Sequence, residues 1–284
     1  MIRRAWAMAG AMLLAACAQA PVEAPVAATP DTEAPIKILR PEGLGPFPAV
    51  VLLHDCSGLG PRSSGAPGRW SKELLSRGYV VAIPDSFSTR GFPGGVCTDP
   101  SPSRADVGPF RRVRDAYAAL ERLRAEPGVL GDRIGVMGGS HGGSTVLATI
   151  ALLASDRPPL ADRKRHGFAA AIALYPACAI GSPPFTREYH PAAPLLILAG
   201  GLDDWTPAAP CVRLASAAAG KAEIKVYPDA HHSFDSKAPV RYLESRNNAN
   251  APGGKGATTG GNAEAWKDSI QQVDAFFAKH LKRP

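Results

Sequence analysis

Residues 138–143, Gly138-Gly139-Ser140-His141-Gly142-Gly143, contain the pattern G-x-S-x-G. The apolar run Ile134-Gly135-Val136-Met137 leads into it, and a helix-like stretch follows. A strand that turns at once into a helix strains the serine backbone, needs glycines around it for room, and exposes the hydroxyl above the sheet. A serine hydroxyl is a weak nucleophile until a base takes its proton. Two later segments offer the missing groups. Residues 227–234 carry His231 and His232, and residues 200–207 carry Asp203 and Asp204. Serine, then acid, then histidine is an order in which such triads occur. The chemistry is acyl transfer to water through an acyl-enzyme, which requires neither metal nor cofactor. No cysteine pair has zinc-like spacing, and the adjacent histidines are not an i, i+4 pair, so no metal site is expected.

Seven short apolar runs could position these groups: 36–39, 49–53, 79–84, 133–137, 169–175, 195–199 and 223–227. The middle ones are continuously apolar, as parallel strands buried on both faces are. Helical spacing occupies the intervals. In 109–125, Val113, Tyr117, Leu120 and Arg124 recur every three to four residues, and Pro127-Gly128 stops the pattern. Residues 141–154, 207–219 and 263–282 also read as helices. Residues 247–261 are polar and Gly-rich and read as a loop. Alternating β and α segments predict an α/β fold, a mostly parallel sheet with helices on both faces.

The sequence resembles the dienelactone hydrolase family of α/β hydrolases over roughly residues 36–282. Its acid loop G-G-x-D-x-x-x-P matches residues 200–207, and its base loop Y-x-x-A-x-H-x-F matches 227–234. The resemblance implies the α/β-hydrolase fold, Asp203 as catalytic acid and His232 as base. It also implies an oxyanion hole made by the backbone N–H groups of Cys56, in the loop Leu53-His54-Asp55-Cys56-Ser57-Gly58, and of His141. The chain departs from the founding class in four places. Ser140 stands where that class has cysteine, and Asp55 where it has glutamate. Ser236 stands where it has a carboxylate-gripping arginine, and Arg90 is one residue out of step with a second such arginine. Asp55, Arg90 and Trp205 are candidate substrate contacts. Apart from Cys17, four cysteines remain, and the sequence leaves their three pairings open. The usual strand order of the resembled fold implies Cys56–Cys97 and Cys178–Cys211.

The chain has 284 residues, 45% of them hydrophobic, which suits one large domain. Its net charge is +7. The densest basic run, 162–166, is short and reads as a solvated loop, so no nucleic-acid partner is expected. Arg3 and Arg4 followed by apolar residues 5–16 read as an export signal, too short to span a bilayer. Leu14-Ala15-Ala16-Cys17 resembles a bacterial lipobox, which would make Cys17 the lipidated first residue. The rival cut, after Ala20, would place Pro21 first, which disfavours it. The expected organisation is a signal peptide at 1–16, a flexible tether at 17–34 and a hydrolase domain at 35–284. The mature protein is expected at the periplasmic face of the envelope, held to the outer membrane only by its lipid. The expected function is hydrolysis of a small ester or lactone. A peptidase or amidase of the same fold, and a catalytically inactive envelope-binding lipoprotein, are the alternatives.

Overall fold

The computed structural model describes residues 33–151, 167–179 and 189–282. The signal peptide, Cys17, nearly all of the tether and the basic run at 162–166 lie outside the described residues.

Seven strands form one sheet: β1 (Ile36–Leu39), β2 (Phe47–Leu53), β3 (Val80–Pro84), β4 (Val129–Gly139), β5 (Ala170–Leu174), β6 (Leu195–Gly200) and β7 (Ala222–Tyr227), in the spatial order β1-β3-β2-β4-β5-β6-β7. The edge strand β1 pairs antiparallel to β3, with Ile36 opposite Pro84. Every other pairing is parallel, with Leu53 level with Gly138 and Gly139 with Leu174. Successive side chains of a strand face opposite sides, so β2 feeds two cores. Ala49, Val51 and Leu53 join α2 (Val113–Arg124), α3 (His141–Ile150) and α4 (Ala208–Ala217) through Leu120, Leu147 and Leu214. Val50 and Leu52 join α1 (Ala66–Ser76) and α5 (Ala263–Leu281) through Trp70, Leu74, Phe276 and Phe277. Each such side chain, fully buried, contributes about 2 kcal/mol, and this two-sided burial is why the strands read as unbroken apolar runs.

Two elements depart from the sequence expectations. Helix α1 was not anticipated, because Gly58, Gly60, Gly65 and Gly68 dominate its surroundings. It starts at a left-handed Gly65 followed by Pro67 in its first turn, and it buries Trp70 and Leu74, one turn apart. The stretch 247–261, expected as a loop, contains a strand, β9 (Lys255–Thr259), paired antiparallel with β8 (Arg241–Asn247). The hairpin sets only Tyr242, Leu243 and Ala257 among charged and polar residues, too few to show an alternation. The helix expected at 141–154 is described to Ile150, and residues beyond Ala151 lie outside the description. Among the described residues, no helix is long and apolar enough to cross a membrane.

Candidate active site

Ser140 stands between β4 and α3 with φ 53° and ψ −119°. A non-glycine residue at positive φ carries strain that the surroundings must hold. They do so through the Ser140 N–H, which donates to the Leu174 carbonyl at 2.9 Å. The motif glycines are needed for closeness. A Cβ on Gly142 would lie 2.2 Å from the Leu53 carbonyl oxygen, and one on Gly138 would lie 2.6 Å from the Gly142 backbone.

The loop after β7 brings His232 to the serine: its Nε2 is 2.9 Å from Ser140 Oγ. On the other side of the ring, Nδ1 is 2.8 Å from Asp203 Oδ2. Asp203, in the loop after β6, is fixed in turn. Its Oδ1 accepts from the N–H groups of Trp205 at 2.9 Å and Thr206 at 2.8 Å, and its Oδ2 lies 2.8 Å from Thr206 Oγ1. All three side chains are buried, Ser140 with 7% of its surface open. The neighbouring residues are turned elsewhere. Both oxygens of Asp204 are held by Thr258, and His231 Nδ1 faces the Leu202 carbonyl at 3.0 Å.

Cys56, just past the end of β2, is bonded to Cys97, with Cα atoms 4.9 Å apart, and its carbonyl accepts from Val96 N–H at 2.7 Å. Cys178 and Cys211 are bonded likewise, with Cα atoms 5.0 Å apart. These bridges join the loops after β2 and β3, and the loop after β5 to α4 beyond the Asp203 loop. His141 opens α3, where backbone N–H groups lack partners within the helix.

Of the candidate substrate contacts, Trp205 lies against the site, its ring centroid 4.7 Å from that of His232. Asp55 is occupied within its own loop. Its Oδ1 accepts from Ser57 N–H at 2.7 Å and from Ser57 Oγ, and its Oδ2 from Ser64 Oγ. Arg90 is also occupied: its two terminal nitrogens grip Asp115 at 2.7 Å each, and one reaches the Ser86 carbonyl at 2.9 Å. The structure therefore does not bring Arg90 to a substrate carboxylate. Asp55, Cys56 and Cys97 also cluster as potential metal ligands among the described residues, but the two sulfurs are spent on each other.

Sequence reasoning missed several groups. Tyr175 packs edge-on to His232 at 4.9 Å, and its hydroxyl donates to the buried Asp235 at 2.9 Å. Trp70 Nε1 donates to the other Asp235 oxygen at 2.8 Å. Arg246, on β8, holds its guanidinium 5.9 Å from the Trp205 ring centroid, and its buried Nε has no hydrogen-bond partner among the described residues. Arg112 is wholly buried and bonded to the His54 carbonyl in the loop after β2. No motif marks these residues, because each depends on a contact between segments far apart in the chain.

A family model described as the dienelactone hydrolase family matches residues 36–281. A 104-residue segment is 34% identical to dipeptidyl-peptidase 5 of Porphyromonas gingivalis, covering 35% of this chain and 14% of that protein. Among solved structures, a protein assigned as a dienelactone hydrolase from Klebsiella pneumoniae superposes with a TM-score of 0.62 at 20% identity, covering 87% of this chain and 93% of the other. Thermogutta terrifontis esterase 2, phosphoramylated by tabun, gives 0.61 at 19% identity over 90% and 94%. A dienelactone hydrolase-like promiscuous phosphotriesterase from metagenomic libraries gives 0.57 at 17% identity over 88% and 100%. At such identities these structures speak for the fold, a seven-stranded, mostly parallel sheet flanked by helices, and the family match over nearly all of the folded domain speaks for descent: the chain belongs to the dienelactone hydrolase family.

Proposed function

We propose that this hydrolase acting on ester bonds is a serine carboxylesterase or lactonase for small substrates, with Ser140 as nucleophile, His232 as general base and Asp203 as the acid that orients it. The observation that carries this reading is the position of His232, 2.9 Å from Ser140 Oγ and 2.8 Å from Asp203. His232 takes the serine proton as Oγ attacks the carbonyl carbon. Asp203 accepts from Nδ1–H, which fixes the tautomer and stabilises the imidazolium. The N–H groups of Cys56 and His141 receive the charge on the carbonyl oxygen, each such donor supplying about 3 kcal/mol. His232 then protonates the leaving alcohol, and water, deprotonated by the same ring, cleaves the acyl-enzyme.

A fluorophosphonate probe tests the assignment. It should label Ser140 in the native protein, and Ser140→Ala should abolish labelling and lower ester hydrolysis by roughly 10⁴-fold or more. An inactive scaffold would not label. A tenth of the activity left in the variant would remove Ser140 from the role. The segment similar to dipeptidyl-peptidase 5 favours a second reading, an amidase. Matched p-nitrophenyl esters and dipeptide p-nitroanilides separate the two by kcat/KM.

Two disulfides fit an oxidising compartment outside the cytoplasm. The lipobox-like Leu14-Ala15-Ala16-Cys17 supports an anchor at Cys17. Mass spectrometry of the native protein should find lipid on an N-terminal Cys17. A free N-terminus at Pro21 would mean simple secretion.

A further inference from the structure

We propose that Arg112 is a positioning residue of the active site, tying the oxyanion loop to the serine elbow and holding the His141 ring with its Nε2–H edge toward bound substrate. The proposal rests on Ser140 being the nucleophile.

Arg112 precedes α2 and none of its surface is open to solvent. One terminal nitrogen donates to the carbonyl of His54, two residues before Cys56, at 2.9 Å. The other lies 2.7 Å from Nδ1 of His141, the residue after Ser140. A single rigid fork therefore spans both segments that supply the oxyanion donors. The Phe87 ring lies across the guanidinium, 5.0 Å from its central carbon, and meets the rings of His54 and His141 edge-on.

The chemistry of these pairs fixes protons. A guanidinium has five N–H donors and no acceptor, so His141 Nδ1 must accept and its proton must sit on Nε2. Nδ1 faces a buried residue, while His141 as a residue keeps part of its surface open. With Nδ1 held by Arg112, Nε2–H is the donor this ring has left to offer, one residue along from Ser140. Burial, then the Arg112 charge, then His54 hold His141 neutral well below the ordinary histidine range. His54 is neutral for similar reasons: its Nδ1 donates to the Asp55 carbonyl at 2.8 Å, and its Nε2 accepts from Ser86 N–H at 3.1 Å.

Stability alone is a poor account of Arg112. Among the described residues no carboxylate lies within ion-pair distance of it, because Arg90 occupies both oxygens of Asp115. Its Nε is buried without a hydrogen-bond partner. Burial draws its pKa down from 12.5 to about 10, only partly offset by Asp115 and Asp55. A buried charge whose nearest carboxylates stand beyond ion-pair distance is costly, whereas a fixed cation behind the place where negative charge develops favours the transition state over the ground state.

The test reads the His141 proton directly. Long-range ¹H–¹⁵N spectra of the wild-type protein, with the signal assigned by its loss in His141→Gln, should show a neutral ring protonated at Nε2 at pH 7. Arg112→Met should free this ring to exchange tautomers. It should also lower kcat on p-nitrophenyl acetate roughly 10- to 100-fold with KM nearly unchanged, since the loss is of transition-state positioning. Arg112→Lys, whose single nitrogen cannot span both acceptors, should lose kcat in the same way. A wild-type His141 carrying its proton on Nδ1, or charged at pH 7, overturns the proposal even if Arg112→Met fails to fold. So does either folded variant with kcat within twofold of wild type. Absence of fluorophosphonate labelling at Ser140 would instead remove the nucleophile assignment, and the tautomer result would stand apart from it.

Discussion

Asp204 is bonded through both carboxylate oxygens to Thr258, to its N–H at 2.8 Å and its hydroxyl at 2.7 Å, and so faces the β8–β9 hairpin rather than His232. Its neighbour Asp203 holds the ring nitrogen. The two adjacent carboxylates thus have separate duties, and asparagine should tell them apart. Asp203→Asn removes the acceptor that orients His232 and should cost roughly 10³- to 10⁴-fold in kcat. Asp204→Asn leaves the triad intact and should cost less than tenfold, with a small loss of Tm as the hairpin loosens. Steady-state kinetics on p-nitrophenyl acetate checks both, and an equal or larger loss at Asp204 would reverse the assignment.

How much of this could be read from the chain depends on how local each signal is. The elbow was legible because a strand, G-x-S-x-G and a helix are contiguous, and the parallel core because two-sided burial leaves unbroken apolar runs such as 170–174. The choice between Asp203 and Asp204 needed a resemblance, since both stand in the same polar loop. Arg112 was illegible: it is one of several arginines between 104 and 124, most of them exposed, and only the fold brings it to His54 and His141. Arg90 was misleading because its place in the loop suggested a substrate grip, while its actual partner Asp115 lies on another element.

Asp235 should make stability depend on pH in a recognisable direction. Burial pushes its carboxyl above the ordinary aspartate range, against the pull of Arg69 at 3.7 Å and of the bonds from Tyr175 and Trp70. A raised folded-state pKa means that the fold holds this proton more tightly than the unfolded chain does. The stabilisation is full below the unfolded value, about 3.9, and is lost as pH rises through the raised one. Asp235→Asn, neutral at every pH, can still accept from Trp70 and donate to Tyr175. Its Tm relative to wild type should therefore improve between about pH 4 and pH 8. A constant difference across that range would mean the carboxyl is not perturbed.

Reduction of the disulfides should affect catalysis before it unfolds the domain. The Cys56–Cys97 bridge spans 41 residues and the Cys178–Cys211 bridge 33. In the chain-entropy model each is worth at most about 4 kcal/mol. The first holds the loop after β2 against residues 96–97, and the second links the loop after β5 to α4, which follows the Asp203 loop. Titration with a phosphine reductant, followed by activity and circular dichroism in parallel, should show activity falling at reductant levels that leave the helical signal intact. Simultaneous loss of both would make the bridges global staples without a local role.

Arg246 should set the charge preference of the substrate. Arg90 spends its fork on Asp115 and Ser236 supplies no cation, whereas Arg246 on the hairpin stands beside Trp205. The hairpin is well anchored there. Asn247 N–H donates to the Cys97 carbonyl at 2.9 Å, Asn247 Nδ2 to the Asp99 carbonyl at 2.8 Å, and Trp205 Nε1 to the Asn247 carbonyl at 2.7 Å. The guanidinium is thereby held over Trp205, whose ring also lies against that of His232. Burial draws the Arg246 pKa down while Asp55 raises it, so the group is partly desolvated and an anion beside it gains more than it would in open water. With p-nitrophenyl hemisuccinate against the neutral butyrate ester, Arg246→Gln should lower kcat/KM roughly tenfold for the former and little for the latter, mostly through KM. Added salt should narrow the wild-type preference by screening the same attraction. Arg90→Gln should behave differently: breaking a buried pair costs about 3 kcal/mol or more in stability, and it should leave the ratio between the two esters unchanged. If Arg246→Gln lowers both esters equally, the hairpin does not set the charge preference, and if Arg90→Gln alone shifts the ratio, the loop after β3 sets it instead.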